Sequence, residues 1–157
     1  MKIYFYPCDL GFFSVTVKND EVIGIDIASD LKDLRCDSNS LISSINEYYD
    51  VIQPIVDNLD FGPLKNSGIL VYQSGSEFRS KVWEAISEIP AGETRTYQEI
   101  ANDIGSPKAV RAVGSSCGEN KLAIFVPCHR VIGSGKNKYQ YKWGSFLKQK
   151  LLERETK

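Results

Sequence analysis

The chain has 157 residues, of which 42% are hydrophobic and 25% charged, with a formal net charge of -1. That length buries a real core in one domain or two small ones, and the composition excludes a disordered or fibrous chain. No run of about 18 apolar residues is present, which excludes a spanning helix. The run Ile3–Tyr6 behind Met1 and Lys2 is too short for a signal peptide. A cytoplasmic protein is expected, nuclear in a eukaryote, with its cysteines reduced. The near-neutral total hides an asymmetry. Residues 1–80 carry 6 Lys+Arg against 12 Asp+Glu, net -6, whereas residues 81–157 carry 13 against 8, net +5. A basic second half suits a polyanion such as nucleic acid, although charge alone is equally a solvated face.

Ile3–Tyr6, Phe12–Lys18 and Glu21–Ile27 read as short strands, and Asn19-Asp20 is a hairpin turn between the last two. A polar stretch covers Asp30–Ser40. Leu41–Val56 places Leu41, Ile45, Tyr48 or Tyr49, Ile52 and Ile55 at helical spacing. Phe61-Gly62-Pro63 breaks that pattern, and Ile69–Tyr72 is one more strand or a connector. A new unit begins near Ser74. Ser74-Gly75-Ser76-Glu77 is a capping-box pattern, and Phe78, Val82, Ile86 and Ile89 then share one helical face. Pro90-Ala91-Gly92 ends that helix. Tyr97–Ile104 reads as a short helix with Thr96 at its N-cap. Ser106-Pro107 then caps a second helix, Lys108–Cys117. Two short helices joined by a Gly-containing turn form a helix-turn-helix pattern. The second helix is basic (Lys108, Arg111) and otherwise made of small residues from Ala109 to Ser116. Such a surface permits close approach, either inside a core or against nucleic acid.

Leu122–Val126 is an apolar run, read as a buried strand or extended segment. It leads into Pro127-Cys128-His129-Arg130. The chain's single histidine therefore sits beside a cysteine. A free thiol is mostly protonated at neutral pH. An imidazole base and the positive charge of Arg130 favour the thiolate, which attacks saturated carbon and leaves a thioether that water does not cleave. A buried cysteine behind an apolar run is also a common core residue. A cysteine protease needs a histidine distant in sequence, and structural zinc needs about four ligands. The scattered Cys8, Cys36, Cys117 and Cys128 offer neither, so no metal is expected.

Val126-Pro127-Cys128-His129-Arg130-Val131-Ile132 resembles the active-site signature of the O6-alkylguanine-DNA alkyltransferases. The likeness runs over roughly Ser76–Glu155. It includes Val82-Trp83, Ile89-Pro90-Ala91-Gly92-Glu93-Thr94, Thr96-Tyr97, Ile100-Ala101, Pro107-Lys108-Ala109-Val110-Arg111-Ala112-Val113-Gly114 and Lys148…Leu151-Leu152…Glu155. The resemblance implies stoichiometric, irreversible transfer of an alkyl group from O6-alkylguanine in double-stranded DNA to Cys128, by a monomer without a cofactor. It implies that His129 deprotonates Cys128 through a water, that Glu155 orients His129, and that Asn120 is a hinge before the active-site segment. It implies that Arg111 fills the gap left by a flipped nucleotide. Tyr97 then meets the target phosphate, and Tyr141 donates a hydrogen bond to the leaving guanine. Lys108, Arg130 and Lys142 are expected to contact DNA. Flipping is required because the alkylated oxygen lies inside the stack.

The stretch Tyr139-Gln140-Tyr141-Lys142-Trp143-Gly144 departs from the family pattern, with Gln140 and Trp143 where small residues are common. Lys121 stands where a proline is common. These differences bear on pocket size. The expected architecture is an α/β N-terminal subdomain with a small antiparallel sheet (1–73) and a mostly α C-terminal subdomain with a (winged) helix-turn-helix (74–157). Two rival readings are a non-catalytic lesion-binding protein on the same scaffold and a transcription regulator. Cys128 argues against the first, and the scarcity of base-reading side chains on the second helix argues against the other.

Overall fold

The computed structural model describes residues 1–30, 33, 42–43, 48–58, 60 and 62–157. They form two compact units, one of Met1–Gln73 with Lys121–Phe125, the other of Ser74–Asn120 with Val126–Lys157.

In the first unit, β1 (Lys2–Cys8), β2 (Gly11–Lys18) and β3 (Glu21–Ala28) form an antiparallel meander. Their β-branched and aromatic residues suit a pleated surface. Asn19 and Asp20 have φ of 51° and 61°, the paired positive values that a right-twisted two-residue hairpin demands. Alternation along β1 sends Ile3 and Phe5 into a cluster with Ala28 and Phe12. Tyr6, on the opposite face, stacks on Tyr49 of α1 (Tyr49–Asn58) with ring centroids 6.2 Å apart. Helix α1 buries Ile52, Ile55 and Val56.

The two sheet edges correct the antiparallel expectation. Strands β4 (Ile42–Ser43) and β5 (Leu70–Val71) pair parallel to β1 and β3, in the order β4-β1-β2-β3-β5. The helix expected from Leu41 is also corrected. Ile42–Ser43 satisfies the open backbone edge of β1, and edge donors and acceptors must be paired somewhere. Leu41, Ile45 and most of Asp30–Ser40 lie outside the described residues. Leu122–Phe125, read as extended, pairs only briefly. Ile25 N donates to Lys121 O at 2.8 Å and Ala123 N to Ile25 O at 2.9 Å. The chain then turns, with the β-branched Ile124 at φ 65°, a conformation such residues rarely adopt. Residues 121–125 therefore pack with the first unit, although they follow the expected boundary at residue 73.

In the second unit, α2 (Glu77–Ser87) is capped by Ser76, whose Oγ accepts from Arg79 N at 3.3 Å, two residues after the serine that the box pattern favours. Helix α3 (Tyr97–Asp103) starts at a complete capping box. Glu99 N donates to Thr96 Oγ1 at 3.1 Å, and Thr96 N donates to Glu99 Oε2 at 2.7 Å. Gly105 turns the chain at φ 72°, and Gln98 Nε2 clamps the turn by donating to Asn102 Oδ1 and Pro107 O. Helix α4 (Val110–Gly118) begins two residues later than expected, because Ser106 O closes a turn with Ala109 N instead of capping the helix. Trp83 Nε1 on α2 donates to Ser116 O on α4 at 2.9 Å. Strands β6 (Arg95–Thr96) and β7 (Val131–Ile132) pair in parallel, and α5 (Ser145–Glu155) closes the unit. Among the described residues, no helix is long and apolar enough to cross a membrane.

Candidate active site

The β6–β7 pairing links the cap of α3 to the residues just after the cysteine motif, so the helix-turn-helix and Cys128 are held in one frame. Cys128 occupies a 3-10 turn, Cys128–Arg130, rather than an extended segment. It is only 3% exposed, yet it lines a cavity of 660 Å³ together with Tyr97, Arg111, Cys117, Tyr141 and Lys142. Gln140 also lines it. Lys108 is exposed on the turn before α4 and does not line that cavity.

Asn120 is fully buried. Its Nδ2 donates to Val126 O at 2.9 Å and to Cys128 Sγ at 3.3 Å. The asparagine is therefore more than a turn residue, since it fixes the approach to the turn and touches the sulfur. Lys142 Nζ donates to Asn120 O at 2.6 Å and stands 4.9 Å from the Trp143 ring centroid.

His129 Nε2 lies 2.7 Å from Glu155 Oε1. Burial alone would push the Glu155 carboxyl up. Hydrogen bonds and charge from His129 and Arg130 outweigh it and hold the pKa at about 2, so the group is a carboxylate that only accepts. The proton therefore sits on Nε2, and Nδ1 presents a lone pair. Burial lowers the imidazole pKa against the pull of Glu155, which keeps the ring neutral. Nδ1 is buried and has no hydrogen-bond partner, which suits an acceptor awaiting a proton.

Arg130 does not serve the roles the sequence suggested. Its Nε reaches both Glu155 oxygens at 3.1 Å, Nη2 reaches Oε1 at 2.8 Å, and Nη1 donates to Ile89 O at 2.7 Å. The guanidinium is spent on orienting Glu155 and is only 16% exposed, so neither a DNA contact nor a positive charge for the thiolate comes from it. That charge comes from Lys148, which carried no role in the sequence reading. Lys148 is fully buried on α5 and donates to Val131 O and Gln140 O. Burial lowers its pKa to about 8, which leaves it cationic at neutral pH, and its charge favours the Cys128 anion. The spacing of Lys148, Leu151 and Glu155 is the available signal: one helical face carrying two ionic groups around a buried leucine.

Cys117, also without an assigned role in the sequence, lines the same cavity as Cys128 and interacts with it side chain to side chain. That contact, followed by burial, pushes the Cys128 thiol up, against Asn120 and Lys148. The resting sulfur is thus a protonated thiol beside a prepared base, rather than a standing thiolate. Tyr141 has a buried hydroxyl without a partner, and its ring meets Trp143 edge-on at 5.2 Å. Burial pushes its pKa up, and burial likewise raises Tyr97 to about 12. Both remain O–H donors. On α4, Val113, Ser116 and Cys117 face inward, whereas Ala112 and Ser115 are exposed and a Cβ on Gly114 or Gly118 would meet open space. The small-residue face is therefore open rather than packed.

The family model for the DNA-binding domain of 6-O-methylguanine DNA methyltransferase matches residues 77–157. A probable methylated-DNA–protein-cysteine methyltransferase from Acanthamoeba polyphaga mimivirus is 39% identical over 158 residues, covering 100% of this chain and 98% of its own. The chain belongs to the O6-methylguanine DNA methyltransferase family. The bifunctional transcriptional activator and DNA repair enzyme Ada of Escherichia coli is 52% identical over 82 residues, which is 52% of this chain but 23% of that protein. A Methanosarcina acetivorans relative is 50% identical over 94 residues, 60% of each chain. The crystal structure of Mycobacterium tuberculosis OGT in complex with DNA aligns with a TM-score of 0.76 at 30% identity, covering 99% of this chain and 93% of that one. This family membership accounts for both the α/β first unit and the mostly helical second one.

Proposed function

We propose that this protein repairs alkylated double-stranded DNA by moving the alkyl group of O6-alkylguanine onto Cys128, once per molecule. The observation that carries this reading is a thiol in the wall of a 660 Å³ cavity, hydrogen-bonded by a buried amide, next to a neutral histidine with one free lone pair. The names of the relatives and the DNA complex of the M. tuberculosis protein support it.

In this mechanism His129 Nδ1 takes the Cys128 proton through a bridging water, and Glu155 steadies the resulting imidazolium. Lys148 and the Asn120 amide stabilise the thiolate as it forms. Sulfur attacks the alkyl carbon in line. The S–C bond forms as the C–O6 bond breaks, and Tyr141 donates its proton to the departing guanine. Arg111 fills the space left by the flipped nucleotide, and Tyr97 meets its phosphate. The open small-residue face of α4 lets the helix approach the duplex closely, with Lys108 and Lys142 adding positive charge.

Intact-protein mass spectrometry after mixing with an oligonucleotide containing O6-methylguanine tests the reading. The expected result is the gain of one methylene mass, mapped to Cys128 and absent in Cys128→Ser. Tight binding of the lesion with unchanged mass would instead indicate a non-catalytic binder.

A further inference from the structure

We propose that Cys117 and Cys128 form an oxidative modification site, in which Cys117 resolves an oxidised Cys128 into a reversible disulfide. Both thiols are free, both are buried and both line the same cavity, where their side chains interact. One comes from the last turn of α4 and the other opens the 3-10 turn after Pro127. Alkyl transfer by a single sulfur gives the second no task. A second thiol in contact with a nucleophilic one is the arrangement that intercepts oxidation before it becomes irreversible.

The oxidant is a small hydroperoxide, hydrogen peroxide being the simplest, and the cavity gives it access to Cys128. The groups argued to support the thiolate for alkyl attack, His129, Asn120 and Lys148, support it equally for attack on oxygen. The Cys128 thiolate forms an S–O bond as the peroxide O–O bond breaks. The leaving hydroxide takes up the thiol's proton as water, leaving a sulfenic acid. Cys117 sulfur then attacks Cys128 sulfur. The S–S bond forms, the S–O bond breaks, and the hydroxyl leaves as a second water with the Cys117 proton. Two thiols lose two electrons and two protons, and the peroxide is reduced to two waters. A dithiol reductant reverses the outcome by thiol–disulfide exchange. The disulfide occupies the alkyl acceptor, so it silences repair while preserving the sulfur.

The test treats the reduced full-length protein with a modest excess of hydrogen peroxide, followed by non-reducing peptide mapping and intact mass. The expected product lacks two hydrogens, maps to a Cys117–Cys128 cross-link, and returns to its starting mass with dithiothreitol. In Cys117→Ser and Cys117→Ala the same treatment is expected to drive Cys128 to sulfinic or sulfonic acid, which dithiothreitol does not reverse. The idea is overturned if the wild-type protein adds oxygens at Cys128 without a cross-link. A bridge from Cys128 to Cys8 or Cys36 overturns it, as does an absence of oxidation. Full recovery of either Cys117 variant with dithiothreitol does the same. These readouts follow sulfur chemistry alone, so their failure is separate from any failure of alkyl transfer.

Discussion

The two units bury different things. Among the described residues of the first, the buried side chains are apolar or aromatic, such as Tyr6, Phe13, Val22, Ile25 and Val56, and Ser14 is the buried polar one. The second unit buries Ser116, Asn120, His129 and Lys148 as well as its aliphatic core. Burying a polar group costs free energy unless every donor and acceptor is satisfied, and burying a cation costs more. The second unit accepts that cost in one place, around the sulfur. There Asn120, Lys148 and the His129–Glu155–Arg130 cluster satisfy nearly every group, and the few atoms left open, His129 Nδ1 and Tyr141 Oη, are those that chemistry uses. One unit is a core with little chemistry, whereas the other gives up some core to hold a reactive centre.

The largest expected effect separates those tasks. Phe13→Ala empties a site with no solvent exposure and should lower the unfolding free energy by about 3–5 kcal/mol, read from urea melts. Its single-turnover transfer rate per folded molecule should stay within about twofold of the wild type, as expected for independent sites. A larger fall in that rate would break the division of labour.

Arg111→Ala probes the opposite case, an exposed cavity residue with no core role. Stability should move by no more than about 0.5 kcal/mol. Transfer from duplex DNA should slow by about tenfold or more, equivalent to about 1.4 kcal/mol of barrier, while transfer from the free modified base stays unchanged. Equal slowing on both substrates would remove the flipping role and make Arg111 part of the reacting centre.

How far each unit could be read in advance follows from the same contrast. The meander was legible because alternation and the Asn19-Asp20 turn are local signals, and the helix-turn-helix because Thr96 and Gly105 punctuate it. Strand β4 was not legible. Two residues carry no period, and their conformation is set by the open edge of β1 rather than by Ile42 or Ser43 themselves. Leu122–Val126 is largely buried as its apolar run implies but leaves the extended path after Ala123, because such a run does not say where its backbone partners end. In the site, Cys128, His129, Glu155, Asn120 and Tyr141 were legible through a family signature, but the two cations were confused. Arg130 and Lys148 both lie in a basic stretch, and nothing in sequence says which guanidinium is claimed by a carboxylate or which ammonium is enclosed by carbonyls. Cys117 was silent because its significance lies in its nearness to Cys128 in the wall of one cavity, which only the folded chain creates.

The smallest expected effect tests whether the cluster behind His129 is as tightly held as its geometry implies. Glu155 has its pKa depressed from its ordinary value of 4.5 to about 2 by His129 and Arg130, overcoming burial. A depressed carboxyl stabilises the fold fully above its unfolded pKa and loses that contribution as pH falls through its folded one. The window is therefore between 4.5 and about 2. Within it the wild type should lose on the order of 1 kcal/mol more than Glu155→Gln, once solvent screening of a partly exposed group is allowed for. Glutamine cannot ionise, so the variant should be the less stable protein at neutral pH and the gap should narrow on acidification. Urea unfolding of both proteins across that window measures the difference. Parallel curves would mean that Arg130 and His129 do not hold the carboxylate in its charged form. His129 would then lose the fixed acceptor that assigns its proton to Nε2, and with it the reason for its free lone pair.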